Sequence, residues 1–291
     1  MLIGFDREEV VGSLLNDFLS NLPLGEKGIP SYAPSPFHQT GLFSPGNMSK
    51  ILSFTYGLIA YAAFLIAILY AIGFVGSFVV PKNINSGTAG PIGISILINA
   101  FLLALFAIQH TIMARPGFKK WWTQITPVQI ERSTFVLIAS LILLLLYWQW
   151  RPMPTVLWSV DNAVGKSILV AINLLGWALV FYSSFLIDHF DLFGLRQVYL
   201  YLVGKEYTHP IFRKISLYKR IRHPLMLGFL LAFWSTPLMS LGHLLFSGLT
   251  TAYIFIGIQF EERDLLQHLG EDYTRYRKET PMVLPTKWGA G

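Results

Sequence analysis

Four groups of polar and ionisable side chains border long uncharged stretches, and these are the places where this 291-residue chain could do chemistry. They are Gln109-His110, Asp188-His189 with Asp191, Tyr218 with Arg222-His223, and Glu261-Glu262-Arg263-Asp264. Histidine takes up and releases protons near neutral pH, carboxylates accept hydrogen bonds, and guanidinium groups pair with anions. Cysteine is absent, which removes disulfides, thiolate metal sites and a cysteine nucleophile. The seven histidines show no paired ligand spacing on one helix, so no metal site is expected.

The elements that must position these groups follow from the composition. Hydrophobic residues make up 53% of the chain, charged residues 13%, and the mean hydropathy is +0.52. A soluble globule carries about twice that charge. Uncharged stretches run over 51–81, 83–114, 133–150, 167–187 and 223–260. About 20 apolar residues cross a bilayer as a helix, so the first four stretches each hold one span and the last is long enough for two short ones. The fold expected is an all-α integral membrane protein with four transmembrane helices, a C-terminal transmembrane helical hairpin and a cytoplasmic C-terminal segment. Ser235-Thr236-Pro237 and Ser240-Leu241-Gly242-His243 supply the turn of the hairpin. Trp121, Trp122, Trp148, Trp150 and Trp158 fall near span ends, as an interfacial aromatic belt would.

Basic residues set the orientation. Lys50, the Arg115–Arg132 loop, the segment from Asp188 to Arg222 with its Arg196, Lys205, Arg213, Lys214, Lys219, Arg220 and Arg222, and the C-terminal Arg263, Arg275, Arg277, Lys278 and Lys287 all fall to the cytoplasmic side by the positive-inside rule. All four chemical groups then lie at that face, where they could build one pocket open to the cytoplasm. Each also has a plainer role. Arg222 with Lys219 and Arg220 could anchor headgroups, Glu261 to Asp264 could be a solvated helix exit, His110 could glue helices, and Asp188-His189 could be a helix terminus leaving the membrane. The net charge of +6 is accounted for by membrane anchoring, and no nucleic-acid partner is expected.

Residues 1–47 differ from the rest. They are net −3 against +9 for the remainder, rich in proline, and carry no basic-then-apolar signal-peptide pattern. A flexible tail or upstream extension is expected there, with the membrane domain spanning 48–291 and Met48-Ser49-Lys50 reading as a second start.

Two segments carry a resemblance. Tyr218-Lys219-Arg220-Ile221-Arg222-His223-Pro224-Leu225-Met226-Leu227-Gly228 resembles the R-H-P-x-x-x-G signature of membrane methyltransferases of the isoprenylcysteine carboxyl and phospholipid type. Glu261-Glu262 through Gly270, Tyr273 and Tyr276 resembles their E-E-x-x-L-x-x-x-x-G-x-x-Y-x-x-Y segment. Gln109-His110-Thr111 to Pro116, Glu131-Arg132-Ser133-Thr134, Trp148-Gln149-Trp150-Arg151-Pro152 and Asp188 to Val198 are similar to the bacterial methanethiol S-methyltransferases, relatives of the NnrU-like membrane proteins. That likeness runs from about Met48 to Pro285.

The resemblance implies S-adenosylmethionine as donor, methanethiol as acceptor, and dimethyl sulfide and S-adenosylhomocysteine as products. By motif match, Arg222, His223, Gly228, Glu261 and Glu262 would hold the cofactor. Met226 stands where family members often have tyrosine, and Gly257 and Ile258 stand where the isoprenylcysteine branch has an arginine, which argues against a prenylcysteine substrate. No Gly-rich strand-to-helix turn of the kind used by soluble methyltransferases occurs. Carboxylates at Glu261 and Glu262 can take hydrogen bonds from an amino group and ribose hydroxyls, and Arg222 can pair with a methionyl carboxylate. A thiol acceptor needs a base or cationic partner, and His110, with Asp188 or His189 beside it, is the candidate. A related methyltransferase for another lipophilic thiol, an amine headgroup or an isoprenoid acceptor stays open, as does a non-catalytic NnrU-like protein.

Overall fold

The computed structural model describes residues 45–208 and 214–285. The tail up to residue 44, and Arg213 and Lys287 among the basic residues, lie outside them. The long helices are α1 (Pro45–Gly76), α2 (Ile92–Met113), α4 (Val128–Gln149), α5 (Ala163–Ile187) and α9 (Leu241–Glu279); between them lie α3 (Pro116–Trp122), β1 (Val156–Ser159), α6 (His189–Leu192), α7 (Leu195–Leu202), α8 (Pro224–Trp234) and β2 (Leu238–Ser240). Those five long helices are apolar enough to cross a membrane. The protein is a mostly helical integral membrane protein.

Helix α1 packs on α4 and α7, α2 on α4 and α9, and α5 on α8. The main core gathers Phe74, Tyr147, Trp150, Trp177, Phe233 and Phe246. A smaller, separate cluster surrounds Met113 and Phe135. Trp150 corrects the aromatic-belt expectation. It is fully buried, edge-on to Phe74, with its indole N–H donating to the Ile84 carbonyl at 3.1 Å, whereas Trp121, Trp148 and Trp158 are exposed.

The last uncharged stretch divides unequally. Helix α8 has 11 residues, about 16 Å, roughly half the hydrocarbon thickness, while α9 runs for 39 residues. A helix that ends this early exposes carbonyls that lipid cannot satisfy. Here Asn173 donates to Ala232 O at 2.6 Å, and His243 Nε2 and Ser247 Oγ donate to Phe233 O at 2.8 and 2.7 Å. The chain beyond is satisfied by a feature absent from the all-helical expectation, a two-stranded antiparallel ribbon of β1 and β2. Leu241 N and Gly242 N add bonds to Thr155 O and Met153 O. Short polar side chains and a ribbon therefore do for this turn what a bilayer cannot.

Helices α5 and α8 approach closely because both carry glycine at the crossing. A methyl at Gly228 would stand 2.7 Å from the Gly176 carbonyl oxygen, and one at Gly176 2.6 Å from the Ala232 nitrogen. Small residues permit such contact between membrane helices.

Candidate active site

Pro224 takes the first helical position of α8, where a missing N–H costs nothing, and this fixes Arg222 and His223 just before the helix. Their own N–H groups donate to Pro281 O at 2.9 Å and Met282 O at 3.0 Å, so the segment after α9 straps the motif in place. Helix α9 brings Glu262 against it. Arg222 Nε donates to Glu262 Oε1 at 2.8 Å and His223 Nε2 to the same oxygen at 3.1 Å. Arg277 Nε reaches Oε2 at 3.2 Å, and His223 Nδ1 lies 3.7 Å from Glu261 Oε2. Arg222, His223 and Glu262 are buried, whereas the Arg277 side chain is half exposed.

The structure thus joins the two sequence motifs in one ion-paired cluster, with one change of emphasis. Arg222 Nη1 donates to Arg277 O at 2.8 Å and Thr280 O at 2.6 Å. Together with the Nε bond to Glu262, this commits much of its guanidinium to the protein itself. The accessible guanidinium of the cluster is that of Arg277, which from sequence alone is one of the basic residues that mark the cytoplasmic side. Gly270 explains how it gets there. Its φ of 55° breaks the helical course of α9, and beyond the break Tyr276 donates to Tyr218 O at 2.6 Å. Burial pushes the Tyr218 phenol up, with Glu261 adding to the effect, so it stays protonated at neutral pH. Gly228 serves the α5–α8 crossing, which sets the depth of the motif.

The other two groups each make contacts of their own. No hydrogen bond joins His110 to Asp188 or His189 among the described residues, although Phe193 packs both on His189 and against the Met113–Phe135 cluster that His110 borders. His189 spends both ring nitrogens, on Tyr61 Oη at 2.9 Å and Ser184 Oγ at 2.8 Å, and its ring stacks on Phe185. Burial pushes its pKa down against the opposing pull of Asp188. Asp188, at φ 133°, accepts the Asp191 N–H at 3.2 Å and turns the chain from α5 into α6. His110 faces apolar rings, stacked on Phe106 and 4.8 Å from Phe135, and its Nδ1 is buried without a partner among the described residues. The α2 terminus is tied to the cluster on α9 by Arg115, which pairs with Asp264 at 3.3 Å and lies over Phe260. Among the described residues no group of three or more His, Asp or Glu could hold a metal ion.

A bundle of apolar helices whose one end closes over a carboxylate, a histidine and two guanidinium groups defines an integral membrane protein with a built polar site. Sequence comparison gives the family. The chain is 54% identical over 238 residues, 82% of its length and 98% of the relative's, to the methanethiol S-methyltransferase of Mycobacterium tuberculosis. It is 53% identical to methanethiol S-methyltransferase 1 of Bradyrhizobium diazoefficiens, over 81% of this chain and 83% of that one. A Nurim homolog of Drosophila pseudoobscura is 32% identical over 58% of the chain and 70% of its own length. No family model and no solved structure matches the chain significantly. The chain belongs to the methanethiol S-methyltransferase family.

Proposed function

We propose that the protein transfers the methyl group of S-adenosylmethionine to methanethiol, giving dimethyl sulfide and S-adenosylhomocysteine, at a site open to the cytoplasmic face of a bacterial inner membrane. The observation that carries the reading is the Arg222–His223–Glu262 cluster, assembled from two motifs far apart in the chain, in a family whose named members methylate methanethiol. The basic residues around it favour the cytoplasmic orientation, with α8 and α9 as an unequal hairpin.

The residues present fit the donor. Its amino group and ribose hydroxyls need acceptors, which Glu261 and Glu262 provide; its carboxylate needs a cation, which Arg277 presents outward while Arg222 holds Glu262 from behind. When bound, S-adenosylmethionine supplies an electrophilic methyl on a sulfonium centre. Displacement there depends on alignment in a dry pocket more than on strong acid catalysis. His223 steadies the carboxylate pair, Gly228 sets the depth of the motif through the helix crossing, and His110 Nδ1 takes the thiol proton. Asp188 and His189 support this site by shaping the α5–α6 corner. An apolar thiol reaches the site through the bilayer. Cells expressing the protein and supplied with methanethiol should release dimethyl sulfide above a vector control; protein present in the membrane with no such rise would refute the assignment.

A further inference from the structure

The cluster around Met113 and Phe135 has features that helix packing alone does not require. Met113, Ala114, Phe135 and Val136 are buried at its centre, where α2 ends and α4 begins, and Phe118 and Phe193 pack against it. Three side chains bordering it carry a buried polar atom without a partner among the described residues: His110 Nδ1, Gln109 Oε1 and Trp122 Nε1. His110 lies against Phe135, Gln109 donates to Met113 Sδ at 3.1 Å, and Trp122 stacks on Phe118. Native proteins leave few buried polar atoms unpaired, and a ligand is one reason for the exceptions. An apolar, sulfur- and ring-lined patch edged by a histidine nitrogen, an amide oxygen that accepts and an indole N–H that donates suits a small molecule with an apolar body and one polar S–H or O–H group.

Arg132 completes the arrangement. Its guanidinium lies over Phe135, 4.9 Å from the ring centroid, while His110 approaches the same ring at 4.8 Å. Nε donates to Leu192 O at 2.8 Å, and the two terminal amino groups make no hydrogen bond among the described residues. The segment after Asp188 holds α4 in place a second time, through Ser133 Oγ donating to Gly194 O at 3.1 Å. The charged and titratable groups facing Arg132 are Glu131 on its own helix, Lys119 from α3, Asp191 from α6 and Tyr207 from the chain beyond α7, with His110 from α2 within its field.

We propose that this cluster is the docking site of the methyl acceptor, and that Arg132 is its counter-charge, favouring the thiolate while His110 Nδ1 receives the proton. The inference rests on the thiol-methylation reading and adds the acceptor's place and a positioning residue to it. The S–H bond of the acceptor breaks with its proton passing to Nδ1. The sulfur electron pair then forms the new S–C bond as the donor's sulfonium–methyl bond breaks, its electrons returning to the donor sulfur. A fixed cation nearby raises the thiolate fraction at a given pH. The Arg115–Asp264 pair and the Arg115–Phe260 contact tie the end of α2, which carries Met113 and Ala114, to the stretch of α9 that carries Glu261-Glu262.

Rate against pH in membranes, with saturating S-adenosylmethionine, methanethiol as acceptor and S-adenosylhomocysteine formation as readout, tests the proposal. Arg132→Gln should lose about tenfold near neutral pH for each unit its profile moves upward, and recover toward the wild-type rate as the pH is raised. Its affinity for S-adenosylhomocysteine should stay at the wild-type value. Glu131→Gln removes an opposing charge and should move the profile the other way, toward lower pH. A loss in Arg132→Gln that is uniform across pH, or no shift, overturns the proposal. If Arg132→Gln does not accumulate, Glu131→Gln decides: an acid shift supports the counter-charge, and an unmoved or alkaline-shifted profile rejects it. Wild-type membranes that methylate no thiol at any pH would overturn the functional reading and this inference with it.

Discussion

Arg222 and Glu262 are separated by 40 residues in sequence, yet Nε and Oε1 meet at 2.8 Å with both side chains buried. A buried pair of this kind adds little net stability, but removing one partner strands a charge and costs about 3–5 kcal/mol. Glu262→Gln should therefore lower the unfolding temperature and weaken S-adenosylhomocysteine binding at least tenfold by calorimetric titration. Wild-type affinity in a folded Glu262→Gln protein would remove Glu262 from the donor site.

Among the described residues His110 has no hydrogen-bond partner at Nδ1 and contacts apolar rings, so its replacement should disturb chemistry more than folding. His110→Ala should reduce turnover by about 10²–10⁴-fold, the usual range for a lost general base, with donor affinity maintained. Unchanged turnover would reject the role.

Gly228 and Gly257 both lie in helices but predict opposite behaviour. A methyl at Gly228 collides with the Gly176 carbonyl and with Val180, while one at Gly257 meets nothing within 4 Å. Overpacking should cost Gly228→Ala about 1–3 kcal/mol, and the displaced motif should bind the donor less tightly. Gly257→Ala should be neutral or slightly stabilising, because a helical glycine costs about 0.5–1 kcal/mol relative to alanine. Thermal unfolding in detergent of the two variants side by side checks the contrast.

The break at Gly270 aims the last turns of α9 back over the cluster. An L side chain at φ 55° and ψ −122° is strained by about 1–3 kcal/mol, so Gly270→Ala should loosen the Tyr276–Tyr218 tie and increase proteolysis after residue 270. Protection equal to wild type in limited proteolysis would contradict this.

The long helices were legible because charge is nearly excluded from them, and the meeting of Arg222 and His223 with Glu262 was legible because both motifs bound one apolar stretch. Arg277 and Tyr276 were not, since beyond the last apolar residue they look like any solvated helix exit until the Gly270 break is known. The ring partners of His110 and His189 were hidden for another reason. Distance from a span end fixes depth, but rotation about the helix axis and the packing of Phe135 and Phe185 decide which neighbour a ring meets. The ribbon of Val156–Ser159 with Leu238–Ser240 was equally hidden, as it arises from backbone groups that need partners rather than from any strand-like run.

The central claim is methyl transfer from S-adenosylmethionine to methanethiol at the Arg222–Glu262 cluster. Membranes given S-adenosylmethionine with a deuterated methyl group, together with unlabelled methanethiol, should release dimethyl sulfide carrying one deuterated methyl, in step with S-adenosylhomocysteine and strongly reduced in Glu262→Gln. Unlabelled dimethyl sulfide, no dimethyl sulfide from folded wild-type protein, or full activity in Glu262→Gln would contradict the account.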